Sequence, residues 1–295
     1  MATVLQYFAS PGLFTSPGIY NNLLDHLPSD IALLRDVVQG LMIHIFWAEQ
    51  YGVRLSEQRK DEVQLRSLTR KLERILELDQ HPITDARPLE KRLVGNCRDF
   101  SVLLTAMLQH QGVPARARCG FGRYFIPNHY EDHWVCEYWI TGQNRWVFVD
   151  AQLDRLQCEK LSIQFDPLDV PRDQFIVGGK AWQMCRSHQA DPQAFGIFDM
   201  HGLWFVRGDF VRDVASLNKM ELLPWDGWGL IEAQDADLSS DDLAFLDQVA
   251  ELTSRDVPEF DKVRTLYEND HRLRVPETIH SYTQKGVEIV ELAHI

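Results

Sequence analysis

Three residue types that can perform nucleophilic catalysis occur in order between Gly95 and Asp154. Cys97 opens an amphipathic segment, His133 opens a segment rich in aromatic and β-branched residues, and Asp150 closes the next such segment. A thiol nucleophile, an imidazole base and a carboxylate that orients the base are the parts of a catalytic triad. The stretch therefore indicates covalent acyl-transfer chemistry, whereas no residue in it identifies a substrate.

The segment after Cys97 predicts an α-helix. Its apolar residues recur on one helical face, at Phe100, Leu103, Leu104, Met107 and Leu108. Asn96 can cap the start, and Gly112 and Pro114 end the helix. Backbone N–H groups of a first turn favour a thiolate and can stabilise an oxyanion, for which the Asn96 side chain is a second candidate. The alternative is a small buried cysteine, the commoner fate of a free thiol.

Residues 133–140 and 145–150 predict two strands of a hairpin. A type II′ turn at Gly142-Gln143 would set the register, pairing Trp139 with Trp146, Glu137 with Phe148 and Val135 with Asp150. His133 would then lie on the same face as Asp150, as a diagonal neighbour with α-carbons roughly 7–8 Å apart. The alternative is an ordinary pair, a half-buried histidine beside an aspartate at the end of a strand.

Cys97 in GNCRDFS, His133 in DHWVCEYW and Asp150 in WVFVDAQ together resemble the transglutaminase-like superfamily. That superfamily has a papain-like core, with a cysteine at a helix start and the histidine and aspartate on adjacent antiparallel strands. The resemblance implies that these three residues are catalytic and that a thioester forms on Cys97. The family's mammalian cross-linking members need calcium, but no calcium-binding loop is evident in this sequence, so we expect no metal or cofactor. Trp134, beside the histidine, is a candidate substrate contact, with core packing as the alternative.

Composition restricts the partners and the compartment. The net charge of −13 repels phosphate backbones, so we expect no nucleic-acid partner. The five cysteines show no CxxC spacing, which fits a reducing compartment better than a disulfide framework or a zinc site. With no visible secretory signal or membrane-length apolar run, we expect a cytoplasmic protein without a membrane partner.

The rest of the chain predicts further helices and one strand. Helices are expected over 29–52, 56–79 and 178–189, after Ser239, and from Pro258 to about 269. A final segment near 276–282 precedes a polar tail. Residues 115–125 predict a strand whose Arg116 and Arg118 form a solvated basic face or bind an anionic substrate group. Glu137 is expected to bind an arginine rather than to act in the site.

The expected fold class is α+β, with N-terminal helices packed on an antiparallel sheet and a mixed C-terminal extension. We divide the chain into an N-terminal helical part (1–90), a catalytic core (91–166) and a mixed C-terminal region (167–295) that either continues the core or forms a separate part. The expected function is a cysteine-dependent hydrolase, deamidase or acyltransferase acting on a peptide, protein or small-molecule amide. The alternative is a non-catalytic module that binds a peptide or protein and keeps the triad as a scaffold.

Overall fold

The computed structural model describes residues 2–255 and 259–295. Contacts divide the chain into two units: residues 1–117 and 135–170 form unit 1, and residues 118–134 and 171–295 form unit 2. Helices and strands occur in both units, which confirms the predicted α+β class. Within the described ranges, no helix is both long and apolar enough to cross a membrane.

Unit 1 contains the predicted catalytic helix and most of the N-terminal helices. Its elements are α1 (Ala2–Phe8), α2 (Ile31–Leu41), β1 (Met42–His44), α3 (Glu57–Lys60), α4 (Leu68–Leu78), β2 (Leu93–Gly95), α5 (Cys97–His110), β5 (Arg145–Val149) and α6 (Arg155–Leu161). The strands β3 (Ala115–Gly122) and β4 (Tyr130–Ile140) contribute residues to both units. The apolar faces of α2, α4 and α5 form one buried core, which includes Leu34, Val38, Leu72, Ile75, Leu104 and Met107.

Two predicted helices are shorter than their patterns indicated. Asp30 caps α2 as expected, but α2 ends at Leu41 because Met42–His44 pair in parallel with Leu93–Gly95. The second helix, expected over 56–79, is split into α3 and α4. The backbone N–H of Leu68 donates instead to the carbonyl of Phe14, and this tertiary bond replaces continuation of α3.

The β4–β5 register is the predicted one, but the turn is not. Trp139 pairs with Trp146 and Glu137 with Phe148, while the ladder ends at Cys136 and Val149. The expected Val135–Asp150 pair therefore lies beyond the ladder, with Asp150 directly after β5. The type II′ turn is wrong: Gln143 N–H donates to Ile140 O and Asn144 N–H to Thr141 O, and the left-handed residue is Asn144, with φ 51°. Asparagine tolerates that conformation, so the same register closes without a left-handed Gly142.

Unit 2 contains the C-terminal elements. They are β6 (Phe175–Val177), α7 (Gly178–Arg186), β7 (Phe195–Ile197), β8 (Met200–His201), α8 (Leu203–Leu217), β9 (Asp226–Gly227), α9 (Ser240–Thr253), α10 (Phe260–Asn269), β10 (Thr278–Thr283) and β11 (Gly286–Glu291). Within this unit β6 pairs antiparallel with the end of β3, and β7 pairs parallel with the start of β4. A Cβ on Gly178 would lie 2.6 Å from Phe210 Cα, so glycine permits the close approach of α7 to α8.

The C-terminal predictions are partly confirmed. Ser239 caps α9 in a capping box with Asp242, as its sequence indicated. The predicted start of the next helix, Pro258, lies outside the described residues, and the helix itself runs from Phe260 to Asn269. The final segment near 276–282 and the polar tail after it form an antiparallel hairpin of β10 and β11, which the sequence did not predict.

Candidate active site

Cys97 is the first residue of α5 and is buried, with 8% of its surface exposed. Asn96 is the N-cap, and its side chain accepts a hydrogen bond from Asp99 N at 3.3 Å. Asp99 Oδ2 in turn accepts one from Asn96 N at 3.0 Å, which completes a capping box. Cys97 is therefore fixed in a first turn, where the helix dipole favours negative charge.

The carboxylate of Asp99 also binds two buried cations. Lys71 Nζ lies 3.1 Å from Asp99 Oδ1, and a guanidinium nitrogen of Arg98 lies 2.9 Å from the same oxygen. All three side chains are at most 2% exposed. Burial lowers the pKa of Lys71 to about 7, opposed by the neighbouring Asp99 carboxylate. This buried ion cluster anchors the turn that carries Cys97 to helix α4.

The side-chain amide of Asn96 is a hydrogen-bond donor at the same turn as Cys97. Its Nδ2 atom is buried and has no hydrogen-bond partner among the described residues. An unpartnered buried amide N–H is unfavourable unless a ligand or water accepts from it. The contribution of Asn96 to an oxyanion site stays a prediction.

Asp150 belongs to unit 1 and is 1% exposed. Its backbone N–H donates to Pro167 O at 2.8 Å, and its Oδ1 accepts from Gln152 N at 3.0 Å. These two bonds fix the backbone just after β5 and hold one carboxylate oxygen in place. The second oxygen is thus held in a defined orientation.

His133 lies on β4 within unit 2 and is 2% exposed. Its ring centroid is 4.8 Å from that of Phe125, 5.9 Å from that of Tyr124 and 6.3 Å from that of Phe175. Trp134 is fully buried, and its Nε1 has no hydrogen-bond partner among the described residues. The aromatic rings restrict rotation of the imidazole, while the triad and the substrate contact of Trp134 stay predictions.

The two arginines of β3 do not form a solvated face. Arg116 is 2% exposed, and its Nε donates to Glu137 at 2.8 Å. This confirms the expectation that Glu137 binds an arginine. Arg118 is 1% exposed and donates to both oxygens of Asp213 at 2.8 Å. Both guanidiniums are thus held by buried carboxylates, because a buried charge is stable only when paired. The expectation of a basic surface is wrong.

One group of potential metal-binding side chains occurs in the described part of the chain: Cys119, Asp132 and Asp209, with donor atoms within 4.8 Å of one another. All three are buried, and burial raises the pKa of the Cys119 thiol and of the Asp209 carboxyl well above their usual values. Arg212 lies 3.3 Å from Asp209. Protonated groups beside a guanidinium favour a shared proton over a metal ion in this cluster.

Sequence reasoning missed the ion cluster below Cys97. Asp99 had a local signal, because asparagine followed three residues later by an acidic residue is a capping-box pattern. Lys71 had none, since its helix reads as an ordinary charged amphipathic helix. Its burial depends on tertiary packing.

The chain is similar to one family model and to a solved structure, each over part of its length. Among curated proteins, none matches it. Among solved structures, it is similar to a candidate cysteine protease from Cytophaga hutchinsonii, with 17% identity, 58% of this chain and 44% of that chain covered, and a TM-score of 0.32. The chain therefore spans less than half the length of that protein.

The family model gives the clearer match. Residues 52–151 match the transglutaminase-like superfamily, and they include Cys97, His133 and Asp150. The matched range contains the capped helix α5 and the β4–β5 hairpin, the elements on which the resemblance depended. Residues 52–151 thus match the family that the sequence resembled, the transglutaminase-like superfamily.

Proposed function

We propose that this protein is a cysteine-dependent enzyme that transfers an acyl group from an amide through a thioester on Cys97. The observation that carries the proposal is the position of Cys97 in the first turn of α5, behind a capping residue that keeps a buried, unpartnered N–H donor. A helix N-terminus favours the thiolate, and donors at the same turn favour an oxyanion. The match of residues 52–151 to the transglutaminase-like superfamily supports the same nucleophile.

In the acylation step, His133 takes the proton of the Cys97 thiol, and the sulfur attacks the carbonyl carbon of the amide. The carbonyl oxygen becomes an oxyanion, which the backbone N–H groups of the first turn and Asn96 Nδ2 stabilise. The C–N bond then breaks, and His133 returns the proton to the leaving amine. A thioester on Cys97 and a free amine result.

In the second step, a nucleophile resolves the thioester. Water or an amine attacks the thioester carbonyl, His133 accepts its proton, and the C–S bond breaks to regenerate the thiol. Water makes the enzyme a protease, amidase or deamidase, and an amine makes it a transferase. Peptides, proteins or small amides are the substrates that this chemistry can use.

Asp150 is the proposed partner of His133. It holds the imidazole in one tautomer and stabilises the imidazolium that forms in each step. The burial of both side chains, the backbone donor on Asp150 Oδ1 and the aromatic rings around His133 support this assignment. Each side chain is restrained by its own surroundings, as an enzyme site requires.

The decisive measurement is the alkylation rate of each cysteine by iodoacetamide as a function of pH, followed by mass spectrometry. We expect Cys97 to react at pH values below the usual thiol pKa of about 8.5, and His133→Ala to remove that reactivity. Cys185 is the internal reference, since burial raises its pKa to about 12.

A matched histidine variant controls for general effects. His129 lies near the start of β4 and bonds Gly196 O, so His129→Ala should leave the pH profile of Cys97 unchanged. If His129→Ala removes the reactivity instead, the base is misassigned. If Cys97 reacts like an ordinary thiol in every variant, the protein is not a thiolate enzyme, and the binding-module alternative replaces the proposal.

A further inference from the structure

Two buried carboxyl groups in unit 2 lie together beside the strand that carries His133. Asp132 directly precedes His133 on β4, so the two side chains leave the strand on opposite faces. Asp209 comes from α8, and a carboxyl oxygen of each aspartate lies within 4.8 Å of one from the other. Asp132 is 8% exposed and Asp209 is 1% exposed, so both groups are largely shielded from bulk water.

The hydrogen bonds of this pair require a proton. Asp132 Oδ1 and Asp209 Oδ2 are buried and have no hydrogen-bond partner among the described residues. Two carboxylates cannot bond to one another, because each can only accept and their like charges repel. A proton on one carboxyl group makes that group a donor to the other. The arrangement therefore favours a pair that carries one proton and one negative charge.

The surroundings of the two groups assign the proton to Asp209. Burial raises the pKa of Asp209 well above its usual value, and the charge of Asp132 acts in the same direction. Burial raises the pKa of Asp132 only to about 6, because the Arg212 guanidinium and a hydrogen bond with Asp209 favour its charged form. At neutral pH the negative charge of the pair therefore lies on Asp132, the residue next to His133.

Other charged or titratable groups also surround the pair. Arg118 and Asp213 bind one another, and burial raises the pKa of the Cys119 thiol, which keeps it neutral. Burial also raises the pKa of Glu131, to about 7. The groups that face the pair are Cys119 and Arg118 from β3, Glu131 and His133 from β4, and Arg212 and Asp213 from α8. A variant at Asp132 keeps all of them, so its rate relative to wild type isolates the charge of Asp132.

We propose that Asp132 is a positioning residue whose carboxylate stabilises the imidazolium of His133 across strand β4, and that Asp209 keeps this carboxylate ionised by donating a hydrogen bond to it. Asp132 acts through its charge alone, because its side chain leaves β4 on the face opposite to His133. The two side chains interact electrostatically, and a buried charge of this kind changes a neighbouring equilibrium about five- to tenfold. This inference rests on the proposed function, in which His133 takes the proton of Cys97.

The test compares the rate at which iodoacetamide alkylates Cys97 in wild type and in Asp132→Asn, as a function of pH. Well above the pKa of Asp132, only wild type carries the charge, and it should react about five- to tenfold faster. Well below that pKa, Asp132 is protonated in wild type too, and the two rates should be equal. The change in their ratio should be centred at about pH 6. A merely structural role of Asp132 would give the same ratio at every pH.

Two variants at Asp209 make the test specific. Asp209→Asn is the matched control, because its amide keeps a donor to Asp132, and its rate profile should equal that of wild type. Asp209→Leu removes the donor, so Asp132 should ionise at a higher pH, and the rise in the rate at Cys97 should move up by about one pH unit. This shift tests the inference even where Asp132→Asn fails to fold, which thermal unfolding of each variant identifies.

The outcomes separate this inference from the proposed function. If His133→Ala removes the reactivity of Cys97 but the ratio of wild type to Asp132→Asn is the same at every pH, the inference is wrong and the proposed function stands. An unshifted profile in a folded Asp209→Leu protein would also overturn it, as would a fall in Asp209→Asn equal to that in Asp132→Asn. If Cys97 of the wild type reacts like an ordinary thiol, the proposed function fails and the inference fails with it.

Discussion

Lys71 Nζ lies 3.1 Å from Asp99 Oδ1, and neither side chain is more than 2% exposed. The same carboxylate accepts the backbone N–H of Asn96 and binds Arg98. One side chain therefore joins helix α4 to the turn that presents Cys97. A buried carboxylate with two cations and a capping role supports the position of the nucleophile, and its loss should affect both stability and reactivity.

Asp99→Ala should lower the free energy of unfolding by about 3–5 kcal/mol, because it removes the N3 carboxylate of the capping box and the counter-ion of the buried Arg98 guanidinium. Urea denaturation measures this directly. Asp36→Ala is the control, since Asp36 forms an exposed pair with the neighbouring Arg35 and its loss should cost about 0–1 kcal/mol. Equal losses in the two variants would contradict a structural role for the Asp99 cluster.

The two roles of Asn96 can be separated by substitution. Asn96→Ser keeps a good N-cap, so the free energy of unfolding should change by less than about 0.5 kcal/mol. The variant loses Nδ2, and one oxyanion donor is worth roughly 10²–10³-fold in rate. The measurement is the rate at which p-nitrophenyl acetate acetylates Cys97, followed by mass spectrometry. An unchanged rate in a stable Asn96→Ser protein would exclude Asn96 from the oxyanion site.

Features that depend on neighbouring residues were predictable from the sequence. Asn96 could be identified as a cap because it precedes an apolar helical pattern, and the register of β4 and β5 followed from the short connection between them. Even a wrong turn type left Trp139 opposite Trp146, since the loop length alone fixes that pairing. The resemblance to the transglutaminase-like superfamily was recognisable for the same reason: the residues that carry it lie in one continuous stretch.

Features that depend on distant residues were not predictable. Nothing near Met42 indicates that it pairs with Leu93, so the helical pattern was extended through β1. Arg116 and Arg118 alternate with small apolar residues as on a solvated strand, and only tertiary packing brings Glu137 and Asp213 to them. The hydrogen bonds that join Tyr51 to Asp154 and Gln157 likewise connect separate parts of the chain.

The β4–β5 hairpin contributes one residue to a buried ion pair, Glu137 with Arg116, and one to an exposed ion pair, Arg145 with Asp169. The two pairs can therefore be compared. Arg116 also stacks on Trp146, with its guanidinium carbon 3.9 Å from the ring centroid. Glu137→Gln should cost about 3–5 kcal/mol, because it leaves a buried guanidinium without its counter-ion. Asp169→Asn breaks the exposed pair with Arg145, whose side chains are 48% and 44% exposed, and should cost about 0–1 kcal/mol. Thermal unfolding of the two variants measures the difference, and the reverse ranking would contradict the burial argument.

The last prediction concerns Asp209 and pH. Burial raises the pKa of Asp209 well above its usual value, and the neighbouring Asp132 acts in the same direction while Arg212 opposes it. Burial also raises the pKa of Asp132 to about 6. An unfolded aspartate titrates near about pH 3.9, so the folded protein keeps a proton that the unfolded chain has lost. Since the folded state then binds more protons, this site lowers the free energy of unfolding as the pH rises above about 4.

Asp209→Asn should remove this fall in stability with rising pH, because the asparagine amide can donate a hydrogen bond to Asp132 but does not titrate. Relative to wild type, the variant should gain stability between about pH 5 and pH 8, measured as the difference in urea midpoints. Asp213→Asn is the control: it breaks the buried pair with Arg118 and should destabilise the protein similarly at both pH values. If the difference in stability between wild type and Asp209→Asn does not change with pH, Asp209 is already ionised in the folded protein. The buried cluster with Cys119 would then need a cation other than a proton to balance its charge.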